Sequence, residues 1–239
     1  MIDYSDYERR IRLIEERGRE IELRYNHNHD EKGRFCSGVG GGRVPVRNDI
    51  DNSGGSGIIK ESSKQKPITE ITDKAIENVP NVKINGYTDE QCAEIQKQHK
   101  ELLKYARDNN DYKEVAFVFD DTLQVHKEFK GSDDKLDFGS SFYGSDLLVM
   151  HNHPRNSSYS NTDLIFFGSN SNVKTLTIVK NNGKCEYLTK GKDYDSKLFK
   201  LEYDRLYKKI VKSGTDFEKA KFVKTLLSKT KSGVIWNEK

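Results

Sequence analysis

The chain has 239 residues, of which 33 % are hydrophobic and 33 % charged, with a formal net charge of +3. That length suits one good-sized core with extensions, and an apolar share below the roughly 45–50 % of an average domain puts part of the chain outside any core. Cys36, Cys92 and Cys185 are odd in number and contain no C-x-x-C pair; this argues against a disulfide framework and a thiolate zinc site and fits a reducing cytosol. The N-terminus carries no signal-peptide core and nothing approaches about 18 apolar residues in a row, so a cytoplasmic protein with no membrane partner is expected.

Tyr4, Tyr7, Ile11, Ile14, Gly18, Ile21 and Tyr25 alternate spacings of three and four, which predicts an amphipathic helix over 1–26 that docks against a partner or its own domain, with oligomerisation as one outcome. Residues 27–66, clustered in Gly, Ser and Asn, read as a flexible linker. His27 and His29 stand there in an H-x-H pair, but with no strand before them they read as solvated residues. The start of this stretch, "NHNHDEKGRFCSG", resembles a short segment of phage and mobile-element proteins, which implies a bacterial or phage-infected host cytosol.

An α/β domain is predicted over 67–191. Thr88 with Gln91 three residues on forms a capping box, and Cys92, Ile95, His99, Leu102 or Leu103, and Ala106 continue a helical stripe. "EVAFVFD", "TLQVHKEF", "DLLVMHNH" and "KTLTIVKNNGKCEYLTKG" read as strands, the last with an Asn182-Gly183 hairpin signal. Beyond it, Leu198, Leu201, Leu206 and Ile210, then Phe217, Phe222, Val223 and Leu226, predict two helices broken at Ser213-Gly214. Residues 192–239 read as a basic helical extension. From Lys190 onward there are 14 Lys/Arg against 7 Asp/Glu, a solvated helical face or else a surface for nucleic acid or an acidic partner. Trp236 either anchors the final segment or sits in a frayed tail. His99 and His126 read as surface or structurally satisfied histidines.

The chemistry concentrates in "HNHPRNSSYSNTD", His151 to Asp163. Alternate strand residues share a face about 6.5–7 Å apart, so His151 and His153 can converge on one cation. Ser160 is a natural N-cap, which puts Asp163 in the first turn of the next helix as a third ligand. With zinc, such a set acidifies water and polarises a carbonyl. Glu114, at the head of "VAFVF", is the candidate proton carrier, with Asp111, Glu128 and Asp133-Asp134 as fallbacks. Ser160 can donate to a developing oxyanion.

Glu114, then H-N-H-P, then S-N-T-D resembles the JAB/MPN domain with its JAMM metalloprotease signature, and H-N-H-P is especially similar to the prokaryotic, RadC-like branch. Spanning roughly Thr88 to Gly191, the resemblance implies a cytidine-deaminase-like mixed sheet flanked by helices. It implies a Zn2+-dependent metallopeptidase or isopeptidase, acting on protein, peptide or ubiquitin-like conjugates. His151, His153 and Asp163 would be ligands, Glu114 the general acid/base and Ser160 the oxyanion helper. The alternative is a non-catalytic JAB-fold module, or a phage structural protein, whose basic C-terminus binds nucleic acid or another partner.

Overall fold

A computed structural model of the protein describes residues 66–133, 135, 136, 138 and 144–239, apart from the side chain of His126. The predicted N-terminal helix and nearly all of the linker, with His27, His29 and Cys36, lie outside the described residues, as does Asp134.

In chain order the elements are α1 (Asp73–Glu77), α2 (Asp89–Asn109), β1 (Val115–Phe119), β2 (Val125–Lys130), β3 (Leu147–His153) and α3 (Asn161–Ser169). β4 (Val173–Lys180), β5 (Cys185–Lys190), α4 (Ser196–Ile210), α5 (Asp216–Lys229) and β6 (Val234–Glu238) follow. Six strands form one sheet in the order β2-β1-β3-β4-β5-β6. Only β3 and β4 run parallel; a parallel pair needs a crossover, and the loop after His153 together with α3 supplies it. The molecule is therefore an α+β protein with a mixed sheet flanked by helices.

Side-chain alternation divides the sheet into two buried faces. Leu148 and Met150 of β3 join Val115, Phe117, Val179 and Tyr187 in a core that the buried stripe of α2, Cys92, Ile95, Leu102, Leu103 and Ala106, closes. Leu147 and Val149 face the other way, packing with Leu176, Ile178 and Leu188 against Leu164 and Phe167 of α3, Phe199 of α4 and Phe222 and Leu226 of α5. With helices on both sides, all seven residues of β3 are buried. A strand covered on both faces reads as an apolar run rather than an alternation.

Local signals act where they were expected. Thr88 Oγ1 accepts from Gln91 N at 3.2 Å while Gln91 Oε1 accepts from Thr88 N at 2.9 Å. Gly183, at φ +89°, turns β4 into β5, and a Cβ there would stand 2.2 Å from the Ala75 carbonyl oxygen, so only glycine fits. Cys92 and Cys185 are buried and not joined in a disulfide.

The C-terminal segment departs from a mere extension. α4 and α5 form where predicted, but they help close the second core, and residues 234–238 add the sixth strand through antiparallel pairing with β5. Trp236 takes the anchoring alternative: it lies opposite Leu188, and its indole N–H donates to Glu186 Oε2 at 3.2 Å. Among the described residues, no helix is long and apolar enough to cross a membrane.

Candidate metal centre

The site forms where three elements end. In the antiparallel pair of β1 and β3, Ala116 lies opposite His151; two residues beyond the ladder the same register sets Glu114 across from His153. Residues 114 and 116 thus share a face with 151 and 153. Pro154 stops β3, having no N–H to give to a ladder. The chain turns at once, Asn156 N bonding the His153 carbonyl at 3.1 Å, and returns to α3 through a loop fastened to the sheet. Ser158 Oγ donates to Glu186 Oε2 at 2.8 Å, and the buried Tyr159 hydroxyl reaches the carbonyls of Leu176 and Glu186 at 2.8 and 3.0 Å.

That fastening returns Asp163 to the histidines. Ser160 caps α3: its Oγ accepts from Asp163 N at 3.1 Å, and its own N–H donates to Asp163 Oδ2 at 2.6 Å. The capping box that starts the helix therefore also orients the carboxylate. Asp163 Oδ1 stands 3.4 Å from His151 Nε2 and Oδ2 stands 3.5 Å from His153 Nε2, while the two Nε2 atoms are 3.0 Å apart. Zinc bonds of about 2.0–2.1 Å in a tetrahedron require donor separations of roughly 3.3 Å, which this triangle approximates.

Tautomers support the same conclusion. His153 Nδ1 lies 3.1 Å from the Ser157 carbonyl oxygen, toward which it can only donate, so in the neutral ring the Nε2 lone pair points at the cluster. Ser157 Oγ is a further contact of Nδ1 at 3.0 Å. Among the described residues, His151 Nδ1 is buried without a hydrogen-bond partner. Burial works to raise the Asp163 pKa, but hydrogen bonds and charge from His151 and His153 outweigh it and hold the carboxyl well below the usual range. For His153, burial opposes protonation; Asp163, helped by Glu114 and Ser157, overcomes it and lifts the pKa above the ordinary value. A half-buried carboxylate facing two imidazole nitrogens attracts positive charge, as a proton or as a metal ion.

Glu114 completes the cluster. Its Oε1 is 3.9 Å from His151 Nε2, and donor atoms of Glu114, His151 and His153 all lie within 4.8 Å of one another. Two ligand sets therefore share the imidazoles. Asp163 faces both rings at 3.4 and 3.5 Å, and Glu114 stands farther off, at 3.9 Å from His151. Ser160 is exposed and is held beside Asp163 by its cap bonds.

Among the described residues, the fallback carboxylates Asp111, Glu128 and Asp133 do not enter this set. Glu128 lies opposite Phe117, on the face away from the histidines. The Asp111 side chain is 91 % exposed, and Asp133 pairs with Arg155 at 3.4 Å. His99 is structural, its Nε2 bonded to Thr177 Oγ1 at 2.9 Å and its pKa lowered to about 3 by burial.

Two groups beside the site went unread in the sequence. Lys180, in register with His153, forms a buried ion pair with Glu186 at 2.7 Å. Asn152 and Asn181 are completely buried and bonded to each other at 2.8 Å. The only advance signal for Asn152 was its place between two site residues, which points its side chain to the opposite face.

Comparison with family models, curated proteins and solved structures finds no match to this chain.

Proposed function

We propose that this chain is a metal-dependent hydrolase of peptide or isopeptide bonds, built on the JAB/MPN plan with zinc as its metal. One observation carries the reading: the start of β1, the end of β3 and the first turn of α3 bring two imidazoles and two carboxylates into a single cluster. The order of parts supports it too. A capped helix, an antiparallel β1–β2 pair, H-N-H-P at a strand end, S-x-x-D at a helix start and a β4–β5 hairpin follow one another along the chain, in keeping with the resemblance.

His151, His153 and Asp163 would hold the ion. When bound, zinc makes water acidic near neutral pH and polarises the carbonyl to be attacked. Glu114 accepts the proton of the attacking water and delivers it to the amine that leaves, which keeps the expelled nitrogen from departing as an anion. Ser160 donates its hydroxyl proton toward the oxygen on which negative charge grows. The helix cap on Asp163 and the Ser157 contact on His153 hold the ligands in place before substrate arrives.

The test is metal analysis of the purified protein, then a screen of the protein and Glu114→Ala against ubiquitin-like fusions and other protein conjugates. About one zinc per chain in both proteins, with hydrolysis in the parent alone, is the expected outcome. Zinc content that survives His151→Ala and His153→Ala would overturn the proposal. Nucleic-acid binding that weakens steeply with salt, without any hydrolysis, would favour the non-catalytic module instead.

A further inference from the structure

We infer that Asn152, the residue between the two histidines, is a positioning residue for Glu114. The inference rests on the proposed role of Glu114 as proton carrier. β1 is a central strand, and at Glu114 its main chain faces two neighbours. Toward β2, Glu114 N donates to the Ser132 carbonyl at 3.1 Å, and its own carbonyl accepts from Gly131 N at 2.8 Å. Toward β3 the ladder has ended at Ala116, leaving the Val115 N–H and the Lys113 carbonyl to be satisfied away from water.

The Asn152 side chain satisfies both. Its Oδ1 accepts from Val115 N at 2.7 Å, and its Nδ2 donates to the Lys113 carbonyl at 3.2 Å. One amide thereby holds the peptide groups on either side of Glu114, replacing the strand partner that β3 no longer provides. The amide is fixed in turn, because Nδ2 also donates to Asn181 Oδ1 at 2.8 Å and Asn181 Nδ2 holds the carbonyls of Thr69 and Tyr112 at 2.7 and 3.0 Å. A carboxylate directed from so constrained a backbone keeps its place beside His151, and displacement by about 1 Å is enough to cost a proton-transfer group most of its effect. Asn152 sits on β3 between His151 and His153, so one strand both presents the imidazoles and sets the distance of the carboxylate from them. Only an amide has the required donor and acceptor side by side.

The experiment uses Co2+ alone as the probe, bound to the full chain, and follows the pH midpoint of the cobalt absorption band. Glu114→Gln is expected to displace that midpoint. Asn152→Ala should displace it in the same direction by most of that amount, with Co2+ affinity kept within about threefold because the ligands are untouched. The double variant should match Glu114→Gln alone, since two changes acting through one group do not add. Asn152→Asp keeps the acceptor toward Val115 and loses the donor toward Lys113, so it should fall between; it carries the same comparison should the alanine variant fail to fold. A parental midpoint in the Asn152 variants, alongside a displaced midpoint in Glu114→Gln, overturns the positioning role and leaves the acid/base reading standing. An unmoved midpoint in Glu114→Gln overturns that reading, and this inference with it.

Discussion

Asp163→Asn separates the helix cap that Asp163 forms from the metal ligation proposed for the same carboxylate. Asp163 closes the capping box of α3 through the 2.6 Å bond from Ser160 N, and it faces the two imidazoles at 3.4 and 3.5 Å. Asparagine retains an oxygen for the cap and removes the charge; alanine removes both. Loss of a group that merely supports a ligand costs about 10–100-fold in metal affinity, so loss of the anionic ligand itself should cost at least about 100-fold, or about 2.7 kcal/mol. The cap bond contributes about 0.5–1 kcal/mol, so with chelator present the alanine variant should melt about 1–4 °C below the asparagine variant. Zinc affinity measured by competition with a chromophoric chelator, and melting of the chelated proteins by calorimetry, read the two effects separately. Parental zinc affinity in Asp163→Asn, with the 100-fold loss appearing in Glu114→Gln instead, would refute this assignment of ligands and make Glu114 the third donor.

On the proposed ligand assignment zinc would compete with a proton on His153, whose pKa Asp163 raises against the opposing effect of burial. Affinity should therefore begin to fall at a pH above the ordinary histidine value as the medium is acidified, by about tenfold per pH unit for one proton displaced, as titrations at several pH values will show. For the metal-free protein the sign is opposite: the His153 contribution is fully present below the unfolded pKa and is lost as pH rises through the folded one, which melting against pH would detect. Lys180→Met leaves Glu186 buried without its ammonium partner and should cost about 3–5 kcal/mol in urea unfolding; a loss under about 1 kcal/mol would show that other donors already satisfy the carboxylate. Deleting residues 234–239 removes β6 and the Trp236 bond to Glu186. It should lower the melting temperature and promote association through the bared edge of β5, whereas a truncated protein that stays monomeric with parental melting would contradict the packing described.

Much of the site was legible because it is local. H-x-H on a strand puts two imidazoles on one face whatever that strand pairs with, and S-x-x-D caps a helix from four neighbouring residues. The same holds for the capping box of α2, its buried stripe and the glycine that turns β4 into β5. Placing Glu114 in the cluster took the register of β1 on β3, a relation between residues about forty positions apart that leaves no periodic trace in either segment. β6 escaped for a related reason: five residues with one side against β5 carry too little alternation to stand out from a basic tail.

What the amino-acid sequence determined alone was most of the elements, from the capped second helix to the two C-terminal helices, and the shared face of His151 and His153 with a capped Asp163 after it, because caps, turns and strand faces are decided by contacts within a few positions. The tertiary structure alone decided which carboxylate joins them, that Asn152 clamps the chain around Glu114, and that the C-terminal segment completes the sheet. Those outcomes rest on hydrogen bonds and packing between distant segments, whose partners are chosen only when the whole sheet assembles.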